Sequence, residues 1–210
     1  MKPKFIALEG GEGSGKSTLT NHLREIVGDT AILTREPGGT PYAEKIRELT
    51  LKEPLAKNTP GEATLCLMFA ARFEHISQLI APTLQKGKHV VSDRFDGSSF
   101  AYNVWAQSDG TLESLFWNLR EALTVKPDLY IYVDVDPSTG YRRAQGRNTS
   151  GGKAASYDHF DDRKIEFHSK VREGYLKFLK KVPHVIIDAN LPLAEVKENF
   201  AKEIKKQLGL

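Results

Sequence analysis

One cysteine, Cys66, stands among 210 residues, so neither a disulfide framework nor a cysteine-based metal centre can be built. It falls inside Leu65-Cys66-Leu67-Met68-Phe69, where a small buried side chain is expected rather than a nucleophile. No apolar run approaches the ~18 residues that a membrane helix needs. Nothing at the start resembles a leader peptide, and a soluble, cytoplasmic protein with no membrane partner is expected. Charge of one sign is also missing: 30 Lys and Arg against 27 Asp and Glu leave a net +3. The basic residues are spread through segments that also carry acids, which argues against a nucleic-acid partner.

What is present centres on Gly10-Gly11-Glu12-Gly13-Ser14-Gly15-Lys16-Ser17, which fits G-x-x-x-x-G-K-[ST]. Before it, Phe5-Ile6-Ala7-Leu8 reads as a buried strand. After it, from Thr18 onward, apolar residues at 19, 23, 26 and 27 have helical spacing. Strand, glycine loop and helix form the context that makes the pattern a phosphate-binding loop. Its backbone N–H groups cradle phosphate oxygens, Lys16 would reach the β- and γ-phosphates, and the Ser17 hydroxyl would sit on Mg²⁺.

Four more short apolar runs, near 31–34, 90–93, 129–135 and 185–188, alternate with helical patterns. A five-stranded parallel sheet with helices on both faces, in one domain over residues 1–210, is expected. Arg35 and Glu36 would lie at the end of the second strand, in front of Pro37-Gly38-Gly39. Leu49 and Ile46 are expected to face inward from a helix over 42–52. The segment 61–84 reads as a helix buried on most sides. Arg72 within it needs an anion: either a neighbour such as Glu74 or Glu62, or a ligand. Asp93 ends a β-branched strand, as does the acid that binds Mg²⁺ in phosphate-loop enzymes, with Arg94 beside it. A helical segment with Arg142 and Arg143 is expected to break at Gly146, just before Arg147. The polar loop 148–158, with Lys153, would close over phosphates as a lid, so the lid spans about 142–160. A long helix from Asp161 would turn Ile165, His168, Val171, Tyr175, Phe178 and Leu179 inward.

The sequence has no Asn-Lys-x-Asp to read guanine and no Leu-Ser-Gly-Gly-Gln segment, which excludes a GTPase and an ABC-type ATPase. A short chain with a basic lid suits phosphoryl transfer to a small molecule, which needs positioning, charge neutralisation and exclusion of water. Two alternatives stay open on the residues alone: a kinase of another acceptor, and a module that binds ATP without transferring it.

Residues 34–40 (Thr34-Arg35-Glu36-Pro37-Gly38-Gly39-Thr40) and the pattern Asp93-Arg94-Phe95-x-x-Ser98-Ser99-x-Ala101-Tyr102 resemble the thymidylate kinases. The resemblance runs essentially end to end and implies a P-loop NTPase three-layer fold. It also implies ATP as donor, dTMP as acceptor, Mg²⁺ as cofactor and a homodimer. By that resemblance Glu12 would help position the metal or the acceptor phosphate. Arg94, with Arg47 and Arg35, would grip the dTMP phosphate, while Glu36 would lie near the sugar. Arg72 would bond the thymine edge, and Tyr102 would exclude a 2′-hydroxyl. Ser98 and Ser99 belong to the acceptor region over 35–103. Arg143 and the loop at Asn190 would hold the donor nucleotide, and Arg147, followed by Lys153, would supply the catalytic lid cation. The chain differs from the family pattern at Met68, where an aromatic usually stacks on thymine and Phe69 stands one position on. It differs also at Asn103, often Gln, and at His159 in the lid.

Overall fold

The computed structural model describes residues 2–149 and 165–210, the side chains of residues 147–149 apart. Five strands, β1 (Phe5–Gly10), β2 (Ala31–Arg35), β3 (His89–Asp93), β4 (Leu129–Asp134) and β5 (His184–Asp188), run parallel in the order β2-β3-β1-β4-β5. β1 is central and buried at every residue, the reason its sequence reads as a continuous apolar run. The crossover leaving β1 runs towards β2 and the one leaving its neighbour β3 runs the other way, towards β4, and a parallel sheet opens a ligand crevice at the carboxyl ends of the strands at such a switch.

The helices described are α1 (Lys16–Val27), α2 (Pro41–Leu51), α3 (Gly61–His75), α4 (Ala81–Gln85), α5 (Asp96–Ser99), α6 (Glu113–Glu121), α7 (Pro137–Thr149), α8 (Ile165–Leu179) and α9 (Leu193–Leu208). Strand side chains alternate between the two faces. Phe5, Ala7, Tyr130 and Tyr132 join the core under α3, α6 and α8, whereas Ile6, Leu8, Ile131 and Val133 join the core under α1 and α9. The result is the three-layer P-loop NTPase fold.

Several local expectations are corrected. Cys66 is exposed: α3 buries Leu65, Met68, Phe69, Ala71, Arg72 and His75, and position 66 falls on the opposite side. Leu49 is 51% exposed on α2, and Ile165 begins α8 at 37%. Gly146 does not break its helix. α7 runs through it to Thr149, because a helix tolerates one glycine at about 1 kcal/mol relative to alanine and Asp136 caps its start by accepting from the N–H groups of Ser138 and Thr139. Residues 148 and 149 are therefore helical, while Lys153, His159 and the rest of the expected lid loop lie outside the described residues. Two π-helical stretches, Ile76–Ile80 and Phe100–Ala106, had no signature in the sequence. The second carries Tyr102 and Asn103.

Candidate active site

The loop after β1 is shaped by its glycines. Gly13 has φ +68, and a Cβ there would lie 2.0 Å from the Gly140 carbonyl oxygen, so a larger residue would clash with α7 as well as strain the backbone. Lys16 is 7% exposed and donates to Asp93 Oδ1 at 2.7 Å. Burial, followed by repulsion from Arg94, pushes the Lys16 ammonium below its ordinary value, against the attraction of Asp93 and Glu9. Burial works to raise Asp93, but the pull of Lys16, Arg94 and Arg35 prevails and holds its carboxyl below the usual carboxylate range. The Lys16 amine thus faces the Asp93 carboxyl across a single hydrogen bond. Ser17 and Thr18 are exposed at the start of α1, Glu12 is half-buried, and Ser14 Oγ is buried without a hydrogen-bond partner.

Beside this loop lies a cavity of about 360 Å³, lined by Gly13, Gly15, Thr18, Arg143, Ala189 and Leu191 among others. Arg143 donates to the Ala189 carbonyl at 3.0 Å. Asn190 ties two loops together: its Oδ1 accepts from the Asp136 N–H, and its Nδ2 donates to Asp188. Arg143 and the Asn190 loop therefore converge with the glycine loop. The side chain of Arg147 is outside the described residues.

On the other side of β1 stands Arg94. It is one of two described non-glycine residues with positive φ, at 70°, a conformation that costs roughly 1–2 kcal/mol for an L-residue. Its Nη1 donates to the Gly10 carbonyl, Ser98 Oγ and Tyr175 Oη, each at 3.1 Å. Its guanidinium stands 5.3 Å from the Tyr102 ring centroid. Burial alone would weaken the cation, yet Tyr102, Tyr175, Asp93 and Glu9 hold it above its ordinary value.

Glu9, fully buried at the end of β1, was not singled out in the sequence. It accepts from the N–H groups of Phe95 and Ser98 and from the Ser98 hydroxyl at 2.6 Å. Burial pushes its carboxyl up, against the Ser98 hydrogen bond and the attraction of Arg94. A Cβ on Gly97 would come within 2.8 Å of Glu9 Oε1, so α5 can rest on this carboxylate only with glycine there. A charged residue inside a buried strand was the available signal. Tyr175, expected only as a core residue of α8, also joins this cluster through Ser98 Oγ at 2.8 Å.

The third group surrounds α3. Arg72 is 2% exposed, and its partner is neither Glu74 nor Glu62 but Glu36, at 2.8 Å from Nε. Nη2 donates to Ser99 Oγ at 3.0 Å, and Nη1 is buried with no partner. Phe69 and Phe95 flank the guanidinium at 4.7 and 4.9 Å. Phe69 also packs edge-on against Phe116 in the core. Met68 stands one turn before Arg72 on the same face of α3 and is 8% exposed. Asn103 is buried and donates to Gln107 at 2.9 Å. Arg35 is engaged in a half-exposed pair with Glu44 at 2.9 Å, while Arg47 donates to the Pro37 carbonyl at 2.9 Å.

Among the described residues no group of three or more His, Cys, Asp or Glu could hold a metal ion by itself. One hydroxyl (Ser17) and one carboxylate (Asp93) close to a phosphate loop do suit Mg²⁺, which takes few protein ligands and fills its octahedron with phosphate oxygens and water.

These three clusters sit at the carboxyl ends of β1, β2 and β3: a phosphate loop with an adjoining cavity, a buried arginine fixed beside it, and a second buried arginine with an unpartnered donor. The sequence matches the family described as Thymidylate kinase over residues 8–200. A thymidylate kinase of Hahella chejuensis is 38% identical, with 99% of each chain covered. One of Alkalilimnicola ehrlichii is 40% identical over 92% of this chain and 88% of its own. The crystal structure of thymidylate kinase from Ehrlichia chaffeensis superposes with a TM-score of 0.69 at 30% identity, covering all of both chains. The chain belongs to the thymidylate kinase family, the nucleoside monophosphate kinases that phosphorylate dTMP to dTDP with ATP.

Proposed function

We propose that this transfer is Mg²⁺-dependent in this chain and runs at the end of β1, with Lys16 serving the donor and Arg94 the acceptor. The observation that carries the reading is the adjacency of Asp93 and Arg94: the first is bound to Lys16, the second to the Gly10 carbonyl at the mouth of the glycine loop. Backbone N–H groups of residues 10–18 would surround the ATP phosphates, with Lys16 on the β- and γ-oxygens. Arg143 and the Asn190 loop border the cavity suited to the adenosine end. Ser17 and Asp93 would hold the metal, which when bound neutralises charge between the β- and γ-phosphates. Glu12 would orient the metal or the acceptor phosphate. Arg147 and Lys153 would bring the lid cation and help keep water out.

On the acceptor side Arg94 would take the dTMP phosphate, with Arg47 and Arg35 nearby. Arg94 is held by Ser98 and, through it, by Glu9, so its charge is in place before substrate arrives, and little reorganisation is left to the reaction. Arg72 would present Nη1 to the thymine edge, with Ser99 and Glu36 fixing its other donors and Asn103 nearby. Phe69 is committed to the core and to Arg72, which leaves Met68 to flank the base. The whole chain, residues 1–210, would work as one domain with its lid at about 142–160. The outward face of α3, with Ala63, Cys66, Ala70 and Phe73 exposed at helical spacing, suits a homodimer contact.

The direct test is ATP consumption with Mg²⁺ against dTMP, dUMP, UMP, dCMP, dGMP, AMP and thymidine. Dominant turnover of dTMP, abolished by EDTA and restored by Mg²⁺, is expected. Preference for another acceptor would show that Met68 and Asn103 have re-aimed the base pocket. ATP binding without turnover of any acceptor would overturn the reading.

Tyr102 supplies a narrower prediction. Its ring packs against Arg94 and stands 6.2 Å from both Phe167 and Tyr175, so it cannot retreat from a bulkier sugar. Tyr102→Ala is expected to narrow the dTMP/UMP ratio of kcat/KM by roughly tenfold, about 1.4 kcal/mol. An unaltered ratio would remove the gate.

A further inference from the structure

We propose that His75 is a positioning residue for base selection, acting through Glu36 to aim Arg72. The inference rests on the reading that Arg72 bonds the acceptor base, and it adds a residue that makes no substrate contact.

A planar guanidinium has five N–H donors in a fixed fork. Arg72 gives Nε to Glu36 Oε2 and Nη2 to Ser99 Oγ, leaving Nη1 buried and unpartnered. A buried donor left unpaired is costly, unless a ligand completes it. Where Nη1 points depends on where Glu36 holds Nε. Glu36 is 5% exposed, and its second oxygen, Oε1, lies 3.0 Å from His75 Nδ1. A carboxylate only accepts, so Nδ1 carries the proton of that bond. The other ring nitrogen, Nε2, lies 2.7 Å from Thr34 Oγ1 on β2. His75 is fully buried, and the Glu36–Gly39 turn closes over it: a Cβ on Gly39, which has φ +88, would come within 2.5 Å of Nε2.

The ring is therefore clamped between β2 and the loop that carries Glu36, and it divides the two carboxylate oxygens between two partners. Without His75, Oε1 is free to join Oε2 in the two-bond fork that carboxylate and guanidinium favour. It would compete with Ser99 for Nη2 and turn the guanidinium in its plane, taking Nη1 off its aim. A fully buried His contacting neither nucleotide site would then set how well the enzyme tells one base from another.

The test uses two isosteric halves of the ring. An Asn amide can occupy the place of Nδ1 and keep the bond to Glu36; a Gln amide reaches the place of Nε2 and keeps Thr34 only. His75→Asn is expected to retain the KM for dTMP and the dTMP/dCMP preference. His75→Gln is expected to raise the dTMP KM roughly 10- to 100-fold, by analogy with the loss of a partner that orients a metal-binding histidine, and to erode that preference, with the KM for ATP unchanged. Thr34→Val loosens the ring without removing it and should show the same signature more weakly, which decides the matter if His75→Gln does not fold. Equal effects of Asn and Gln, or equal losses for ATP and dTMP, would mark a purely structural histidine and overturn the inference. Arg72→Lys separates the two layers. A raised dTMP KM there with an unaltered His75→Gln refutes the inference alone, whereas an unaltered KM in Arg72→Lys refutes the reading of Arg72 and the inference with it.

Discussion

Lys16→Ala should lower turnover by at least ~10³-fold, the scale on which a preorganised charge donor to developing phosphate charge acts, while the protein stays folded. The expectation follows from the pair with Asp93 at 2.7 Å. That hydrogen bond holds the Lys16 amine inside the glycine loop before any nucleotide arrives, while burial lowers its pKa against the pull of Asp93. When the ammonium is gone, Asp93 keeps the pull of Arg94 and Arg35, and its side chain is still 24% exposed. The stability cost should therefore stay near that of one charged hydrogen bond, about 1.5–3 kcal/mol. A coupled assay at saturating ATP and dTMP, with a thermal melt on the same sample, reads both quantities. Turnover within tenfold of the parent protein would rule out the proposed role of Lys16.

Arg94→Ala should act on the acceptor. The loss expected for a buried, hydrogen-bonded cation that meets an anion is about 2–5 kcal/mol, read as a fall in kcat/KM for dTMP. The affinity for ATP, measured by binding without acceptor, should change little. Alanine at position 94 carries the same left-handed backbone cost as arginine, so the comparison isolates the side chain. Removal also takes a cation from beside Glu9, whose carboxyl burial already pushes up. Some destabilisation should accompany the variant, and Glu9→Gln in the same chain should relieve it. Unchanged dTMP kinetics in Arg94→Ala would contradict the assignment.

The sheet was legible because each of its strands is a short apolar run bounded by glycine, proline or an acid, and the glycine loop has few alternative explanations once a strand and a helix flank it. Asp93 and Arg94 were legible for the same reason, as polar residues at a strand's carboxyl end. What was not legible is long-range. Arg72 finds its anion 36 positions upstream at Glu36, beyond any helical spacing rule. Glu9 directly follows an apolar run, and the backbone donors it serves, Phe95 and Ser98, lie 86 and 89 residues away. Cys66 and Leu49 were misplaced because composition says how apolar a helix is but not which side meets the core. The same applies to the π-helical stretch under Tyr102, whose extra residue per turn leaves no periodic trace.

The junction of Asp93 and Arg94 acts as a ruler. One peptide unit, about 3.8 Å from Cα to Cα, separates the residue bound to Lys16 from the residue fixed beside Gly10. On the proposed roles, the backbone spacing between the residue that holds Lys16 and the residue that grips the acceptor is set by covalent geometry, and the side-chain bonds to Lys16, Ser98 and Tyr175 complete the reach. Of the residues proposed to face the base, Met68 and Arg72 sit on a different element, α3. A lineage could therefore exchange one nucleobase for another by drift along that helix while the reach of the phosphate hand-over stayed constant.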